Sequence, residues 1–567
     1  MIVSEKLAIL RFLENTRGPG VQMLGIEARD PIWMMSIALL RRHYLNQRIT
    51  ISSLAQSSGT AYTTALRCIE RMMELGLLAR KQSRAEPKLV FIEPTDALLK
   101  NFHDYCILIK TQLGSAFGLG DTNSTEFVFG AAHFAARIIP PPAKLNPPLG
   151  LDGPLRILLK DEPTLLVLHR MAAEMAIHLD TAIEIDVLEY EPLNEKVISN
   201  GRAEVSEYDL MTLDIPWLGR MVMEGALLPL DEEIQRNRLN PFDFYAAAWE
   251  SARCGGHQMG IPISPTAELF LYRKDVFARH GLNAPKTARD VIEAAHIVHA
   301  PEDEVYGIAW NAARGQPLGQ SFIQIMAAFG SPPVNLDKYG AGYDLDTAWE
   351  KLRPTLNNEA GLATLEYLLE LSQYSPPNIS EMAWSERMEA YRKGRTAMCY
   401  EWSSRTLHFE ADLESPARGN TGYLPHPSRD GSPGISPMGG WVLAIPSNIA
   451  PERKRAAWRA LQWLVSPEVT KCLIENGSPA KFLHSLSHDP EVEEITPAFK
   501  VMDSMERRGQ LQIWPRPPIP YMTSIMRIVG QEIHDVIWGD APAKDVLVRA
   551  ENRLKPMFDT YRKMVEQ

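Results

Sequence analysis

The feature that most constrains the fold is an alternation of strand-like and helix-like segments that begins at Leu155. Apolar runs predict three strands, at 155–159, 183–190 and 208–214. Helical segments follow the three runs, at 165–179, 193–200 and 217–224. Strands separated by helices form parallel α/β sheets, which bind ligands beyond the carboxyl ends of their strands. We therefore expect a parallel sheet with a binding site near Asp161, Glu162, Asp214 and Trp217.

The chain has 567 residues, which is too long for a single hydrophobic core and predicts several domains. Clear periodicity is lost between 118 and 153 except for one stretch, and the segment 138–154 contains six prolines. Such a segment favours an extended, semi-rigid spacer. We predict an N-terminal domain at 1–117, a proline-rich linker at 118–153 and a C-terminal domain at 154–567.

The N-terminal domain has the pattern of three helices followed by two strands and a further helix. Helices are expected from Pro31, from Ser52 to Gly59 and from Thr60 to Leu75, the last with Leu66, Ile69 and Met73 on its core-facing side. Strands are expected at 77–82 and 89–92, joined by a basic loop. This order of elements is typical of a helix-turn-helix followed by a basic hairpin.

One face of the third helix is basic and rich in hydroxyl groups. A recognition helix needs these residue types, because its first turn contacts base edges and its arginines contact guanines or phosphates. The alternative is an ordinary amphipathic helix with two arginines on its solvent face. Together with the hairpin, the candidate DNA-binding residues are Thr60, Thr63, Thr64, Arg67, Arg71, Arg80, Lys81, Arg84 and Lys88.

About 90 residues of this domain resemble the MarR-like winged-helix family of DNA-binding regulators. The resemblance lies in DPIWMMSIALL, in TAYTTALRCIERMMELGLLAR and in the hairpin that follows. The chain departs from the family at the hairpin tip, where Ser83-Arg84-Ala85-Glu86 replaces the usual Asp-x-Arg pair. The resemblance implies a homodimer that binds double-stranded DNA at a palindromic operator. The helix expected from Thr95 to about Leu113 either forms the dimer, as in the family, or packs against its own domain.

The charge distribution separates the two parts of the chain. Residues 1–115 contain 15 Lys+Arg and 10 Asp+Glu, a net charge of +5. The remainder contains 44 Lys+Arg and 60 Asp+Glu, a net charge of −16, so the overall −11 averages two unlike regions. A basic N-terminal region joined to an acidic remainder indicates two functions. The positive charge favours DNA as a partner of the N-terminal region.

Five ordered segments of the second part resemble family 1 extracellular solute-binding proteins, the sugar-binding receptors of ABC importers. They are YDLMTLDIPWLGRMVMEGALLPLDE, GIPISPTAELFLYRKDVFARHGLNAPKTARDVIEAA, YRKGRTAMCYEWSS, PMGGWVLAIPS and RPPIPYMTSIMRIVGQEIHDVIWGDAPAKDVLVRA. The resemblance spans about 154–555. It implies a two-lobed α/β, periplasmic-binding-protein-like (type 2) domain whose lobes close around a small solute. The expected fold is therefore multidomain, with a mainly α winged helix and its β-wing followed by this domain.

The residue types in these segments fit carbohydrate recognition. Aromatic rings stack on the apolar faces of sugars, while carboxylates, amides and guanidinium groups bond the hydroxyls. Core packing is the alternative for each residue. The candidate ligand-binding residues are Asp161, Glu162, Asp214, Trp217, Ser264, Glu268, Trp310, Arg314, Glu401, Trp402, Gly439, Gly440, Trp441 and Arg516.

Other chemistry is weakly indicated. The five cysteines are scattered and show no CxxC spacing, which predicts neither disulfides nor a zinc cluster. Ser478 and Lys481 fit an SxxK catalytic pattern, and His484, His488 and Asp489 fit a metal site, but both lie in stretches that favour loops or solvated surface. No enzyme activity, cofactor, metal or membrane segment is expected.

Charged residues interrupt the apolar pattern of the first 20 residues, and no cleavage site follows, so no secretory signal is expected. These features together predict a cytoplasmic one-component transcriptional regulator that senses a sugar or sugar derivative. Two alternatives are a cytosolic carbohydrate-binding protein of an ABC transport system without DNA-binding function, and a carbohydrate-active enzyme on the same fold.

Overall fold

The computed structural model describes residues 6, 9–10, 12–13, 30–45, 47–82, 90–116, 139, 142–340, 342–487, 489–543 and 545–566. The chain divides into two compact units. The first comprises 1–138 with 488–491, and the second comprises 139–487 with 492–567. Each unit has its own hydrophobic core.

Between residues 30 and 116 the described part of the first unit contains four helices and a three-stranded antiparallel sheet. Its elements are α1 (Pro31–Tyr44), β1 (Ile49–Thr50), α2 (Ile51–Gln56), α3 (Tyr62–Glu74), β2 (Leu78–Gln82), β3 (Val90–Pro94) and α4 (Asp96–Ala116). The strand order is β1-β3-β2. Asp30 starts α1 by accepting hydrogen bonds from the backbone N–H groups of Ile32 and Trp33. The helices and the hairpin follow the predicted order, but the short strand β1 before α2 was not predicted.

The core of the first unit differs in detail from the predicted pattern. In α3 the buried residues are Ala65, Ile69 and Met72, whereas Leu66 and Met73, which we expected in the core, are half-buried. The helix begins at Tyr62 instead of Thr60. The buried stripe is therefore rotated from the predicted one, and α4 extends to Ala116.

The second unit begins with alternating strands and helices. Two long strands later in the chain run through the same sheet. The strands are β4 (Leu155–Lys160), β5 (Ile183–Leu188), β6 (Leu210–Asp214), β7 (Arg253–Cys254), β8 (His257–Gln258), β9 (Ile261–Arg273), β10 (Tyr306–Ala309), β11 (Asp337–Tyr339), β12 (Gly342–Asp344), β13 (Thr396–Trp402), β14 (Thr421–Leu424), β15 (Ser436–Ala444) and β16 (Leu511–Gln512).

Helices cover these strands. They are α5 (Pro163–Arg170), α6 (Ala172–Leu179), α7 (Tyr190–Gly201), α8 (Ile215–Met223), α9 (Asp231–Arg236), α10 (Ala246–Ser251), α11 (Lys274–Arg279), α12 (Ala288–Val298), α13 (Gln316–Ala328), α14 (Glu359–Ser372), α15 (Trp384–Arg392), α16 (Leu407–Glu410), α17 (Lys454–Leu464), α18 (Pro467–Glu475), α19 (Pro490–Ile495), α20 (Pro497–Arg507), α21 (Met522–Ile537) and α22 (Val546–Val565).

Nine strands of the described chain form one continuous sheet in the order β10-β13-β9-β15-β6-β4-β5, with β14 on β9 and β16 on β15. β4, β5 and β6 are parallel, as predicted, but β15 runs antiparallel to both β6 and β9. The sheet is therefore mixed, because the long strands return through it. We call the part built on β4, β5 and β6 lobe 1, and the part built on β10, β13 and β14 lobe 2.

The strand β9 links the lobes. Its first half, Ile261–Ala267, pairs with β15, and its second half pairs with β13 and β14. The single helix predicted at 165–179 is two helices, because the backbone leaves helical geometry at Met171 (φ −91°, ψ 7°). Thr287 and Asp290 form a capping box at the start of α12.

The described part of the predicted linker packs on the second unit. The Trp463 indole N–H donates to the carbonyl of Ala143 at 3.0 Å, and Lys144 forms an ion pair with Asp180. Leu149 is buried. This part of the segment is therefore docked and is not a free spacer, while 118–138 lie outside the described residues.

Candidate ligand-binding cleft

A cleft of about 490 Å³ lies between the two lobes. This size is within the range of small-molecule sites. Its lining combines aromatic rings, hydroxyls, amides and charged groups. The lining residues are Lys160, Asp161, Glu162, Pro163, Glu189, Tyr190, Asp214, Ser264, Thr266, Gln316, Gln320, Trp384, Ser385, Met388, Trp402, Ser404, Arg405, His408, Gly440, Trp441 and Arg516.

Strand register brings the central residues together. On β15, Trp441 lies opposite Asp214 of β6 on one side and Ser264 of β9 on the other. The end of β13 places Trp402 opposite Glu268 of β9. The short pairing of β16 with β15 leads the following segment, with Arg516, to the same place. The cleft therefore lies where four neighbouring strands meet.

A hydrogen-bonded ion pair fixes the centre of the cleft. Nη2 of Arg516 donates to both carboxylate oxygens of Asp214, at 2.9 and 2.8 Å, and the Tyr190 hydroxyl donates to Asp214 at 2.9 Å. Asp214 and Arg516 are each 4% exposed. Burial and the charge of Asp214 raise the pKa of Tyr190 well above its ordinary value, so Tyr190 stays a neutral donor.

Aromatic rings surround this pair. The rings of Tyr190, Trp217 and Trp441 lie 5.0 to 6.2 Å apart and are inclined to one another. The Arg516 guanidinium lies 5.8 Å from the centre of the Trp402 ring. Rings held in this way present rigid apolar surfaces beside polar groups, as carbohydrate recognition requires.

Two glycines allow the close packing at this point. A Cβ on Gly439 would lie 2.5 Å from Nη1 of Arg516 and 2.7 Å from the Trp402 ring. Gly440 has φ +106°, and a Cβ there would overlap the backbone of Ser264 and Pro265. Any larger residue would displace the groups that form the site.

The charges in the cleft are largely paired. Arg405 lies 3.7 Å from Glu162 and links lobe 2 to lobe 1. Burial raises the pKa of Glu162 and lowers that of Lys160, while burial and then Arg405 lower the pKa of His408. The described lining thus has four carboxylic acids against three cations, and this balance disfavours an anionic ligand.

Eight of the fourteen predicted ligand residues line the cleft: Asp161, Glu162, Asp214, Ser264, Trp402, Gly440, Trp441 and Arg516. Gly439 lies directly behind Arg516 and Trp402. Trp217 supports the cleft from outside its lining, since its indole N–H donates to the Tyr190 hydroxyl at 3.1 Å.

Glu268 and Glu401, which we expected in the site, lie in a buried network instead. Arg387 donates to Glu268 at 2.9 Å and to Glu401 at 3.1 Å, and His426 lies 3.5 Å from Glu268. All four side chains are at most 2% exposed. Neither glutamate lines the cleft, because Arg387 of α15 holds both of them inside lobe 2.

Trp310 and Arg314 also lie elsewhere. Trp310 is fully buried, its indole N–H donates to Ser375 at 3.0 Å, and its ring stacks on Trp538. Arg314 is half-exposed and forms a two-point ion pair with Asp535. Neither residue lines the cleft, because each already has a partner in lobe 2.

Sequence reasoning missed several lining residues. Glu189 and Tyr190 directly follow β5, so the rule that selected Asp161, Glu162 and Asp214 could have found them. Gln316, Gln320 and Trp384 lie at or near the starts of helices of lobe 2. Their sequence context contains no signal that distinguishes them from ordinary helix residues.

The predicted DNA-binding face lies on the first unit. Thr63, Thr64, Arg67 and Arg80 are exposed and Thr60 is half-buried. Two of the candidate DNA-binding residues are already paired, Arg71 with Glu74 at 3.0 Å and Lys81 with Glu93 at 2.8 Å. Arg84 and Lys88 lie outside the described residues. The described part of this face is therefore less basic than its arginines and lysines suggest.

The described residues do not bring together the other candidate catalytic and metal-binding groups. Lys481 is fully buried and forms an ion pair with Asp503, so it is not free to act as a base for Ser478. His484 lies 3.9 Å from Glu506, and His488 lies outside the described residues. Among the described residues no three His, Cys, Asp or Glu side chains are grouped to hold a metal, and none of their helices has the length and apolar character to cross a membrane.

The fold and the cleft together define a class: a two-lobed α/β binding protein with a site for a small solute between its lobes. The family of bacterial extracellular solute-binding proteins matches residues 168–471. This match covers more than half of the chain, and the chain belongs to that family.

The relatives bind sugars and polyols according to their names. A mannitol-binding protein of Pseudomonas aeruginosa is 23% identical over 306 residues, which cover 53% of this chain and 66% of that protein. A maltotriose-binding protein of Pyrococcus abyssi is 24% identical over 337 residues, which cover 59% and 67%. The alignments thus span about two thirds of the length of these relatives.

Solved structures share the fold. A solute-binding protein of Agrobacterium radiobacter K84 in complex with ribitol has a TM-score of 0.65 and 27% identity, and the match covers 72% of this chain and all of that one. A protein of Agrobacterium vitis S4 with bound D-mannitol has a TM-score of 0.60 and 20% identity, and the match covers 72% and 99%.

These findings correct the predicted function. The prediction of a DNA-binding transcriptional regulator is wrong, because the homologues are binding proteins for sugars and polyols and none supports DNA binding or a dimer. The predicted cytoplasmic location is contradicted as well, because the family is extracellular. The alternative of a carbohydrate-binding protein of a transport system fits better, apart from its cytosolic location.

Proposed function

We propose that the chain binds a neutral polyhydroxylated solute, a sugar or a sugar alcohol, in the cleft between its lobes, as the solute receptor of an ABC transport system. The observation that supports this most strongly is the paired Asp214 and Arg516 among the rings of Tyr190, Trp402 and Trp441. Such a site has fixed donors and acceptors for hydroxyls, apolar surfaces for sugar carbons and no excess of cations. The names of the relatives point to the same ligand class.

Within this proposal the eight predicted residues that line the cleft are ligand contacts, together with Tyr190 and Gln316. Their role is binding and not catalysis. The two lobes, at about 154–567, form the receptor, with Glu162 and Arg405 meeting across its cleft. Closure around the solute would exclude water from these bonds and strengthen them.

The experiment is a thermal unfolding assay with D-mannitol, ribitol, D-tagatose and maltose. A ligand that binds only the folded state raises the unfolding temperature. We expect at least one of these solutes to stabilise the wild type, and Trp441→Ala to abolish that stabilisation. Arg314→Ala is the matched control and should keep it, since Arg314 lies outside the cleft. Binding of none of the four would contradict the proposal.

We also propose that residues 1–117 form a winged helix-turn-helix fold. The support is the order α1, β1, α2, α3, β2, β3 and the sheet order β1-β3-β2. Amide hydrogen exchange on the intact chain tests it. We expect slow exchange at the backbone groups that pair Leu78–Gln82 with Val90–Pro94, and fast exchange throughout both strands would contradict the proposal.

A further inference from the structure

Gln320 contributes a buried side-chain amide to the wall of the cleft, and among the described residues the N–H donor of this amide has no partner. The residue lies on α13, is 1% exposed and lines the cleft. Its side-chain Nε2 has no hydrogen-bond partner among the described residues. A buried N–H group without a partner lowers stability, so native proteins normally give such a group an acceptor.

The helix α13 places this donor opposite lobe 1. Gln316 and Gln320 are four residues apart and therefore share one helix face. Nε2 of Gln316 crosses the cleft and donates to the Tyr190 hydroxyl of lobe 1 at 2.9 Å. Gln320 thus lies one turn further along the face that already reaches across the cleft.

The position of α13 is fixed by the helix α21. The two helices pack closely at Gly319 and Gly530, where a Cβ on either residue would overlap the backbone of the opposite helix. Such close packing leaves the helix little freedom to shift. The amide of Gln320 is therefore held at the cleft by the fold.

A second unpaired donor borders the same cleft. Nε of Arg516 is buried and has no partner among the described residues, while its Nη2 is bonded to Asp214. Two carboxylates nearby are engaged, Asp214 by Arg516 and Tyr190, and the partly buried Glu162 by Arg405. The inner part of the cleft therefore offers N–H donors, which suit a ligand oxygen that accepts hydrogen bonds.

We propose that the amide of Gln320 donates a hydrogen bond to one oxygen of the neutral polyhydroxylated ligand and thereby determines which hydroxyl pattern the protein selects. This inference rests on the proposed function. A site that hydrogen-bonds one hydroxyl discriminates against the analogue that lacks it, because the buried donor is then left unpaired.

The test compares Gln320→Leu with Gln324→Leu by isothermal titration calorimetry of the intact protein. Gln324 is the matched control, because it lies one turn further on α13, is fully buried and also has an unpaired amide, but does not line the cleft. The probes are D-mannitol and its 1-, 2- and 3-deoxy analogues. Circular dichroism verifies folding, and Gln320→Met replaces the leucine variant if that variant does not fold.

We expect Gln320→Leu to bind D-mannitol about 5- to 100-fold more weakly than the wild type, and Gln324→Leu to bind it with unchanged affinity. One deoxy analogue should bind the wild type more weakly than mannitol does, and Gln320→Leu should not distinguish the two. Unchanged affinity of Gln320→Leu, equal losses in both variants, or retained discrimination would overturn this inference alone. A wild type that binds none of the polyols and sugars would overturn the proposed function and this inference with it.

Discussion

Two buried arginines of the second unit have similar partners and different surroundings. Arg516 is bonded to one carboxylate, that of Asp214, and lines the cleft with an unpaired Nε. Arg387 lies between two carboxylates, those of Glu268 and Glu401, and is fully buried away from the cleft. Nε has no partner in either arginine among the described residues, but only Arg516 lines the cleft, where a ligand can accept from it, whereas Arg387 neutralises charges inside lobe 2. The comparison shows that an arginine and a carboxylate in a motif do not by themselves indicate a binding site.

The largest effect is expected from breaking the network of Arg387. Arg387→Met would leave two buried glutamates without a cation, and removing one member of a buried ion pair costs about 3–5 kcal/mol. Urea unfolding should show a loss of that size. Arg314→Ala, which breaks an exposed pair, should cost less than about 1 kcal/mol. Equal losses in the two variants would show that the buried network does not stabilise lobe 2.

The next variant removes the arginine that lines the cleft instead of the one inside lobe 2. Arg516→Met removes the cation from the cleft, and we expect ligand affinity to fall by about 1.5–3 kcal/mol, because a hydrogen bond from a charged group is lost. Calorimetry with D-mannitol measures the change. Arg314→Ala serves again as the control with intact binding. If Arg516→Met binds the ligand as tightly as the wild type, then Arg516 is a structural residue like Arg387.

A smaller effect is expected from Gly439→Ala, which leaves both ion pairs chemically intact. The added Cβ would lie 2.5 Å from Nη1 of Arg516 and would displace the arginine and Trp402. Overpacking of this kind costs about 1–3 kcal/mol, and here we expect it mainly as weaker ligand binding. Gly342→Ala is the control, because the nearest atom to its Cβ would be 3.3 Å away. Normal affinity of Gly439→Ala would exclude Gly439 from positioning the site.

The smallest effect is expected in the pH dependence of stability. It arises from Glu162, which faces Arg405 across the cleft. Burial raises the pKa of Glu162 above its ordinary value of 4.5, and Arg405 and Lys160 oppose the shift. The folded state therefore holds this proton more tightly than the unfolded state. The resulting stability is greatest below about pH 4.5 and is lost as the pH rises through the raised folded pKa.

Glu162→Gln should remove this part of the pH dependence, because a neutral side chain does not titrate. Unfolding free energies from pH 4 to 8 should show the wild type becoming less stable relative to the variant as the pH rises. Parallel curves for the wild type and Glu162→Gln would show that Glu162 does not titrate as we infer.

Much of the fold and about half of the site follow from the sequence. The carboxyl-end rule for parallel strands selected Asp161, Glu162 and Asp214, and the resemblance to a family selected Trp402, Trp441 and Arg516. Glu268 lies in the same motif but is held by Arg387, which comes from a helix more than 100 residues away in the chain. Strand register and such long-range pairs cannot be predicted from the local spacing of residues. The position of Gln320 in the cleft could not be predicted in this way either.

The N-terminal unit shows the limit of local patterns in another way. Its helices and hairpin were predicted correctly because periodicity and capping residues are local. Its predicted function is contradicted by the relatives, which are binding proteins for sugars and polyols, and an exposed basic face does not by itself specify its partner.

The most direct test of the central claim, that the cleft binds a neutral polyhydroxylated solute, is calorimetric titration of the wild type with D-mannitol and with D-mannitol 1-phosphate. The two compounds differ only in a phosphate group, and the cations of the cleft are already balanced by carboxylates. We predict binding of mannitol and at least tenfold weaker binding of the phosphate. Tighter binding of the phosphate would contradict the account.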